Sequence, residues 1–192
     1  MSHDAHENPD FLRSLVDSYP PMRLSRHHLR PLLSVALVVG CASTTAPGPR
    51  LEPELFFDGQ TFGEGVLEFR DGSIARRFEV ESRGVRSGQE IAIEQSLRFD
   101  DGETRARRWT LTKTDHDRYR GTLTEASGPV RARRRDGVLT LSYALATVPL
   151  GRMRQTLTLQ PGGRQVINEG QVRVLGVVVR RMYEVIEIVS LD

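Results

Sequence analysis

The sequence predicts an all-β domain, an antiparallel up-and-down barrel, and three observations carry that reading. Apolar and polar residues alternate with period two in run after run of the second three-quarters of the chain. Hairpin chemistry separates the runs at short spacing: Asp71-Gly72, Asp101-Gly102, Asp136-Gly137 and Pro161-Gly162-Gly163. After Leu55 no stretch shows a capped helical period. About nine or ten short strands joined by hairpins form a meander, and closing it removes the exposed edges. The expected outcome is a lipocalin-like barrel, with a two-sheet β-sandwich as the alternative.

The clearest strand covers residues 90–99. Ile91, Ile93, Leu97 and Phe99 fall on one face, and Glu90, Glu94 and Arg98 on the other. Ile74, Phe78 and Val80 alternate in the same way, as do Trp109 and Leu111, then Leu139, Leu141, Tyr143 and Leu145, then Leu157 and Leu159. Residues 172–179 form a more continuous apolar run, read as a strand covered on both sides or closing the barrel. Residues 115–117 read as a tight connection, and Gly63 and Gly65 as a bulge or close packing. The outer faces carry Glu94, Arg98, Arg108, Arg133 and Arg135, which argues against a lipid-facing outer wall.

The N-terminal region reads as an address. Within residues 22–41, Arg23, Arg26 and Arg30 precede a short apolar segment at 31–39, too short to span a bilayer stably and suited to a signal peptide. Val38-Val39-Gly40-Cys41 then matches a lipobox, in which small residues admit the peptidase and the thiol carries a diacylglyceryl thioether. Cys41 is the only cysteine, which excludes an intramolecular disulfide and assigns it to lipidation. Multiple acyl chains would anchor the protein stably. Ala42 follows, without an aspartate to favour inner-membrane retention, so the expected location is the cell envelope, at the outer membrane facing the periplasm. Residues 1–40 are thus an N-terminal extension plus signal peptide, 41–54 a flexible tether rich in Ser, Thr, Pro and Gly, and 55–192 the barrel domain. Translation from Met1 or from Met22 are both open; residues 1–21 fit the scheme poorly, and Met22 is the preferred start.

Leu55-Phe56-Phe57-Asp58-Gly59-Gln60-Thr61, then Gly63 and Gly65, Arg76-Arg77-Phe78, Phe99-Asp100-Asp101-Gly102-Glu103, Arg108-Trp109 and Tyr119-Arg120-Gly121 occur in that order. In these elements the chain resembles the bacterial lipoprotein family known as domain of unknown function 3833, from about Leu55 to the C-terminus. The resemblance implies a calycin-like barrel at the envelope and transfers no catalytic residue. The chain departs from the family pattern at residues 156–159, where an acidic-aromatic element is expected, and at Glu169, where a basic residue usually follows the late asparagine.

The chemistry available to the barrel domain is sparse. His116 is the only histidine beyond Cys41 and lies between aspartates in a turn, a poor setting for a triad and too little for zinc. Asp100-Asp101-Gly102-Glu103 reads as a hairpin turn rather than a calcium loop. Asp58, Glu64, Glu94 and Glu125 show no spacing that pairs them for acid–base work. No metal and no cofactor is expected. Arginine dominates the basic residues, with Lys113 the single lysine, yet a net charge of +2 is a weak footprint for nucleic acid, and no nucleic-acid partner is expected. Arg76 and Arg107 fall in register with apolar series, and a buried arginine needs either an internal carboxylate, the favoured reading, or an anionic ligand headgroup.

The leading expectation is a non-enzymatic module holding a small apolar or lipid-like ligand. Phe99, Trp109, Tyr119 and Tyr143 would form aromatic walls, with Arg76 and Arg107 at polar positions. The alternatives are an envelope structural or assembly factor binding another protein, and an envelope enzyme acting on lipid.

Overall fold

A computed structural model describes residues 49–189. Cys41 and the signal segment lie outside them. A single helical turn, α1 (Pro53–Phe56), leads into ten strands: β1 (Gly59–Phe69), β2 (Ile74–Ser87), β3 (Glu90–Phe99), β4 (Thr104–Asp115), β5 (Arg118–Leu123), β6 (Val130–Arg135), β7 (Val138–Ala144), β8 (Gly151–Leu159), β9 (Gln165–Val174) and β10 (Val177–Ile188). Each strand pairs antiparallel with its chain neighbour, and β1 pairs with β10, so the sheet is a closed up-and-down barrel. The sandwich alternative is thereby excluded: pairing from Thr61↔Ile188 to Phe69↔Arg180 leaves no edge.

The strands form where the period-two pattern runs, because alternation presents one apolar face to the interior. Along β3, Ile91, Ile93, Leu97 and Phe99 are buried while Glu90, Glu94 and Arg98 are exposed. Asp136 and Gly137 both have positive φ and join β6 to β7 in the two-residue turn that an Asp-Gly pair favours. Gly63 and Gly65 are close-packing positions. A Cβ on Gly63 would lie 2.6 Å from Glu184 Oε1, and one on Gly65 would lie 2.4 Å from Phe78 Cζ.

Three boundaries differ from the sequence reading. The packed domain begins ahead of Leu55: Leu51 is fully buried, Pro53 starts α1, and Glu54 is buried, so residues 51–54 belong to the barrel rather than to the tether. Proline at the first helical position forfeits no hydrogen bond, which lets this short turn form. Second, the apolar run at 172–179 is not one strand. It contains the end of β9, a hairpin turn at Leu175-Gly176 and the start of β10. Third, Ile74 extends the β2 series past the end of the core and is exposed at the rim.

The two barrel ends differ. One carries the connections β2–β3, β4–β5, β6–β7 and β8–β9, and α1 closes it. Lys113 Nζ on β4 donates to Glu54 Oε1 at 2.8 Å, and buried Arg134 on β6 donates to Glu52 Oε1 at 3.0 Å, Asp117 Oδ1 at 2.9 Å and the His116 carbonyl at 2.9 Å. The other end carries the β1–β2, β3–β4, β5–β6, β7–β8 and β9–β10 connections.

Candidate functional site

A cavity of about 140 Å³ lies inside the barrel. Phe57, just after α1, contributes at the plugged end, and Arg105, Arg180 and exposed Arg181 contribute toward the other end, which is therefore the mouth. Between them the wall is largely aliphatic and aromatic, including Val80, Ile93, Leu97, Leu141 and Ile186. Inward strand positions supply it, since residues two apart share a face.

Polar groups interrupt this wall. Arg107 Nε stands 3.1 Å from Glu125 Oε2, close enough for an ion pair but not aligned as a hydrogen bond. Trp109 Nε1 donates to Gln95 Oε1 at 2.7 Å, and Gln95 Nε2 donates to Ser82 Oγ at 3.0 Å. Asn168 Nδ2 donates to Glu184 Oε2 at 2.8 Å, leaving Asn168 Oδ1 buried without a hydrogen-bond partner. Trp109 and Tyr143 meet edge to face with ring centroids 5.8 Å apart.

Burial sets the proton affinities. It raises the Glu184 carboxyl above the ordinary carboxylate range, while the Asn168 hydrogen bond and the Arg107 charge pull it back. Burial likewise raises the Tyr143 phenol, against the pull of Arg107. For Arg107, burial opposes the charge, but Glu125, with smaller contributions from Tyr143 and Glu184, raises its pKa nonetheless. The site is thus a small apolar chamber with a fixed cation, a neighbouring carboxylate and an unsatisfied acceptor.

Of the residues singled out from sequence, Phe99, Arg107, Trp109 and Tyr143 line the cavity together. Arg76 does not. It stacks over the Phe99 ring at 3.8 Å and pairs with Asp101 and, at 2.9 Å, with Glu103 of the β3–β4 turn. Tyr119 does not either. It faces inward but sits at the plugged end, in contact range of Lys113, where burial and Glu54 push its phenol up to about 12. Alternation fixes which face a residue takes, not its height along the axis. Among the described residues no group of three or more His, Cys, Asp or Glu side chains gathers as a metal site.

Glu125, Asn168, Glu184, Gln95 and Gln155 also line the cavity, and their role there was missed from sequence. A signal existed for four of them. Gln95 lies between Ile93 and Leu97, Gln155 between Met153 and Leu157, Asn168 alternates with Val166, and Glu184 with Met182 and Ile186, so each is a polar residue in an inward apolar series, the criterion that selected Arg107. Glu125 lies in the β5–β6 connection, where no period applies.

The family model described as "Protein of unknown function (DUF3833)" matches residues 35–187. The chain belongs to this family. No match is found among curated proteins. Among solved structures, the DUF3833 chain is similar to the S-type phycobiliprotein lyase CPES from Guillardia theta, with 6% identity, 70% of this chain and 89% of that chain covered, and a TM-score of 0.56. It is also similar to Rv2717c from M. tuberculosis, with 13% identity, 73% and 99% covered, and a TM-score of 0.53. At these identities the likeness concerns the fold, a lipocalin-like or calycin-like barrel, which the DUF3833 chain shares.

Proposed function

We propose that this DUF3833 protein is an envelope lipoprotein whose barrel binds a small apolar or lipid-like ligand. The observation that carries the binding reading is the interior cavity itself, apolar-walled yet lined also by Arg107, Glu125 and Asn168, whose Oδ1 is unsatisfied. Packed cores rarely leave such a void, and a buried acceptor without a partner is costly unless something supplies a donor. The cavity is smaller than the roughly 300–1,000 Å³ of ordinary ligand pockets, so it suits a single ring or a short acyl segment bearing one polar group. An anionic head would meet Arg107, and a hydroxyl or amide could donate to Asn168.

The location half of the proposal rests on the basic segment, apolar segment and lipobox that end at Cys41. Lipid on Cys41 would hold the barrel at the outer membrane, facing the periplasm. Metabolic labelling with a radioactive fatty acid checks it: the label should enter the chain and be lost in Cys41→Ser.

Trp109 is the only tryptophan and lines the cavity, so it reports on occupancy. Titration of the full chain with medium-chain fatty acids and with small aromatic alcohols should change its fluorescence saturably and raise Tm. Leu141→Phe, which narrows the chamber and leaves Trp109 the only tryptophan, should weaken or abolish the saturable change. If no probe does so, and native mass spectrometry of the purified chain finds no bound small molecule, the binding reading fails.

A further inference from the structure

The tip of the β9–β10 hairpin breaks a rule that the same barrel keeps elsewhere. Asp136-Gly137 and Leu175-Gly176 are both two-residue turns with positive φ at both positions, 52° and 81° in the first, 50° and 83° in the second. Asp or Asn is the ordinary choice at the leading position, because its short polar side chain tolerates the left-handed region. Here it is leucine, and its side chain is 78% exposed. The neighbouring β7–β8 connection repeats the choice: Leu150 has φ 58° and is 72% exposed. Neither leucine is placed there by backbone preference or by burial.

The charge beneath them is equally particular. Arg152 on β8 and Arg173 on β9 are direct cross-strand partners, both on the outer face. Like charges opposite each other destabilise a sheet. No carboxylate relieves them among the described residues: Arg173 donates to the Gly176 carbonyl and to Gln171 Oε1. The β3–β4 side of the same rim differs, since Asp101 and Glu103 there neutralise Arg76. Apolar tips above unneutralised arginines match the layering of a bilayer interface, with acyl boundary outermost from the barrel and anionic headgroups just behind it.

We propose that the rim formed by the β7–β8 and β9–β10 connections docks on the surface of an anionic lipid bilayer, Leu150 and Leu175 entering the acyl boundary and Arg152 and Arg173 meeting the phosphates. The described chain enters the barrel at the opposite, plugged end, so this contact is not a continuation of the N-terminal segment. It also sets the cavity mouth beside the membrane, but it does not depend on the cavity being occupied.

The test uses the full chain carrying Cys41→Ser, in which any added cysteine is the only thiol. An environment-sensitive fluorophore is attached in turn to Leu150→Cys, Leu175→Cys and Asp136→Cys, the last at the plugged end. Vesicles of mixed phosphatidylglycerol and phosphatidylcholine should blue-shift the label at 150 and 175 and leave it unshifted at 136. Arg152→Gln with Arg173→Gln should lower partition onto these vesicles by roughly thirtyfold and leave binding to pure phosphatidylcholine unchanged. Leu175→Asn keeps the turn chemistry while removing the apolar tip, so weaker partition with an unchanged circular dichroism spectrum supports the proposal. Equal shifts at all three positions, no shift at the rim, or a rim shift that needs only raised protein concentration without vesicles would overturn it. Trp109 titration with fatty acid should be unaffected by the arginine and leucine variants, which separates failure of docking from failure of ligand binding.

Discussion

Glu184 shows what a single residue does inside this barrel. It faces inward between Met182 and Ile186, only 6% exposed, and it reaches over Gly63. Burial raises its folded-state pKa, so the folded chain binds a proton that the unfolded chain has already released as pH rises past the ordinary carboxylate range. Its contribution therefore favours the fold below about pH 4 and is lost as pH climbs through the raised value. Glu184→Gln keeps an acceptor for Asn168 and removes the ionisation. The variant should exceed wild type in stability at pH 7, with the difference closing in acid. Urea melts across pH measure it. Period two in β10 made the inward orientation of Glu184 legible. Its pairing with Asn168 was not, because that depends on the β9–β10 register, Glu184↔Asn168.

At the scale of elements, the plugged end depends on a few ion pairs that join α1 to the wall. Arg134 is 3% exposed and holds Glu52, Asp117 and the His116 carbonyl at once, tying α1, the β4–β5 turn and β6 together. Its hydrogen bond is the largest cause of the lowered pKa of Glu52, opposed by burial and aided by Lys113. A depressed carboxylate stabilises the fold above the ordinary range and stops doing so as pH falls through its folded value. Arg134→Met should cost about 2–3 kcal/mol at neutral pH, since it strips the partner from carboxylates held near a closed surface. The deficit should narrow in acid, opposite in sign to the Glu184→Gln difference. Sequence reading placed Arg133 and Arg135 on the outer face of the barrel, and both are exposed there, as is Arg131. Arg134 is the inward exception, and its partners come from segments far away in the chain, so no local pattern shows them.

At the scale of the whole molecule, closure is the property that everything else requires. Neighbouring strands form by local hairpins, but β1 and β10 must meet across nearly the full described chain. Until they do, the inward polar residues Glu184, Asn168, Arg107 and Glu125 lack their surroundings, and two strand edges stay open. Deleting residues 177–192 should leave one edge of β1 and one edge of β9 open and yield aggregated protein rather than a smaller barrel. Size-exclusion chromatography and circular dichroism of the truncated chain check this, and a monodisperse β-rich product would contradict it.

The sequence by itself determined the all-β class, the turn positions at Asp71-Gly72, Asp101-Gly102 and Asp136-Gly137, and the inward faces of most strands, because these follow from period two and local turn chemistry. It also singled out Phe99, Arg107, Trp109 and Tyr143, which share the cavity wall. Only the tertiary structure excluded the sandwich alternative, and only it decided that α1 plugs one end, that Tyr119 and Arg76 stand outside the chamber, and that Glu125 and Glu184 reach the same chamber. Those outcomes depend on height along the barrel axis and on which strands become neighbours. Alternation along one strand carries neither, since it reports a side and not a level.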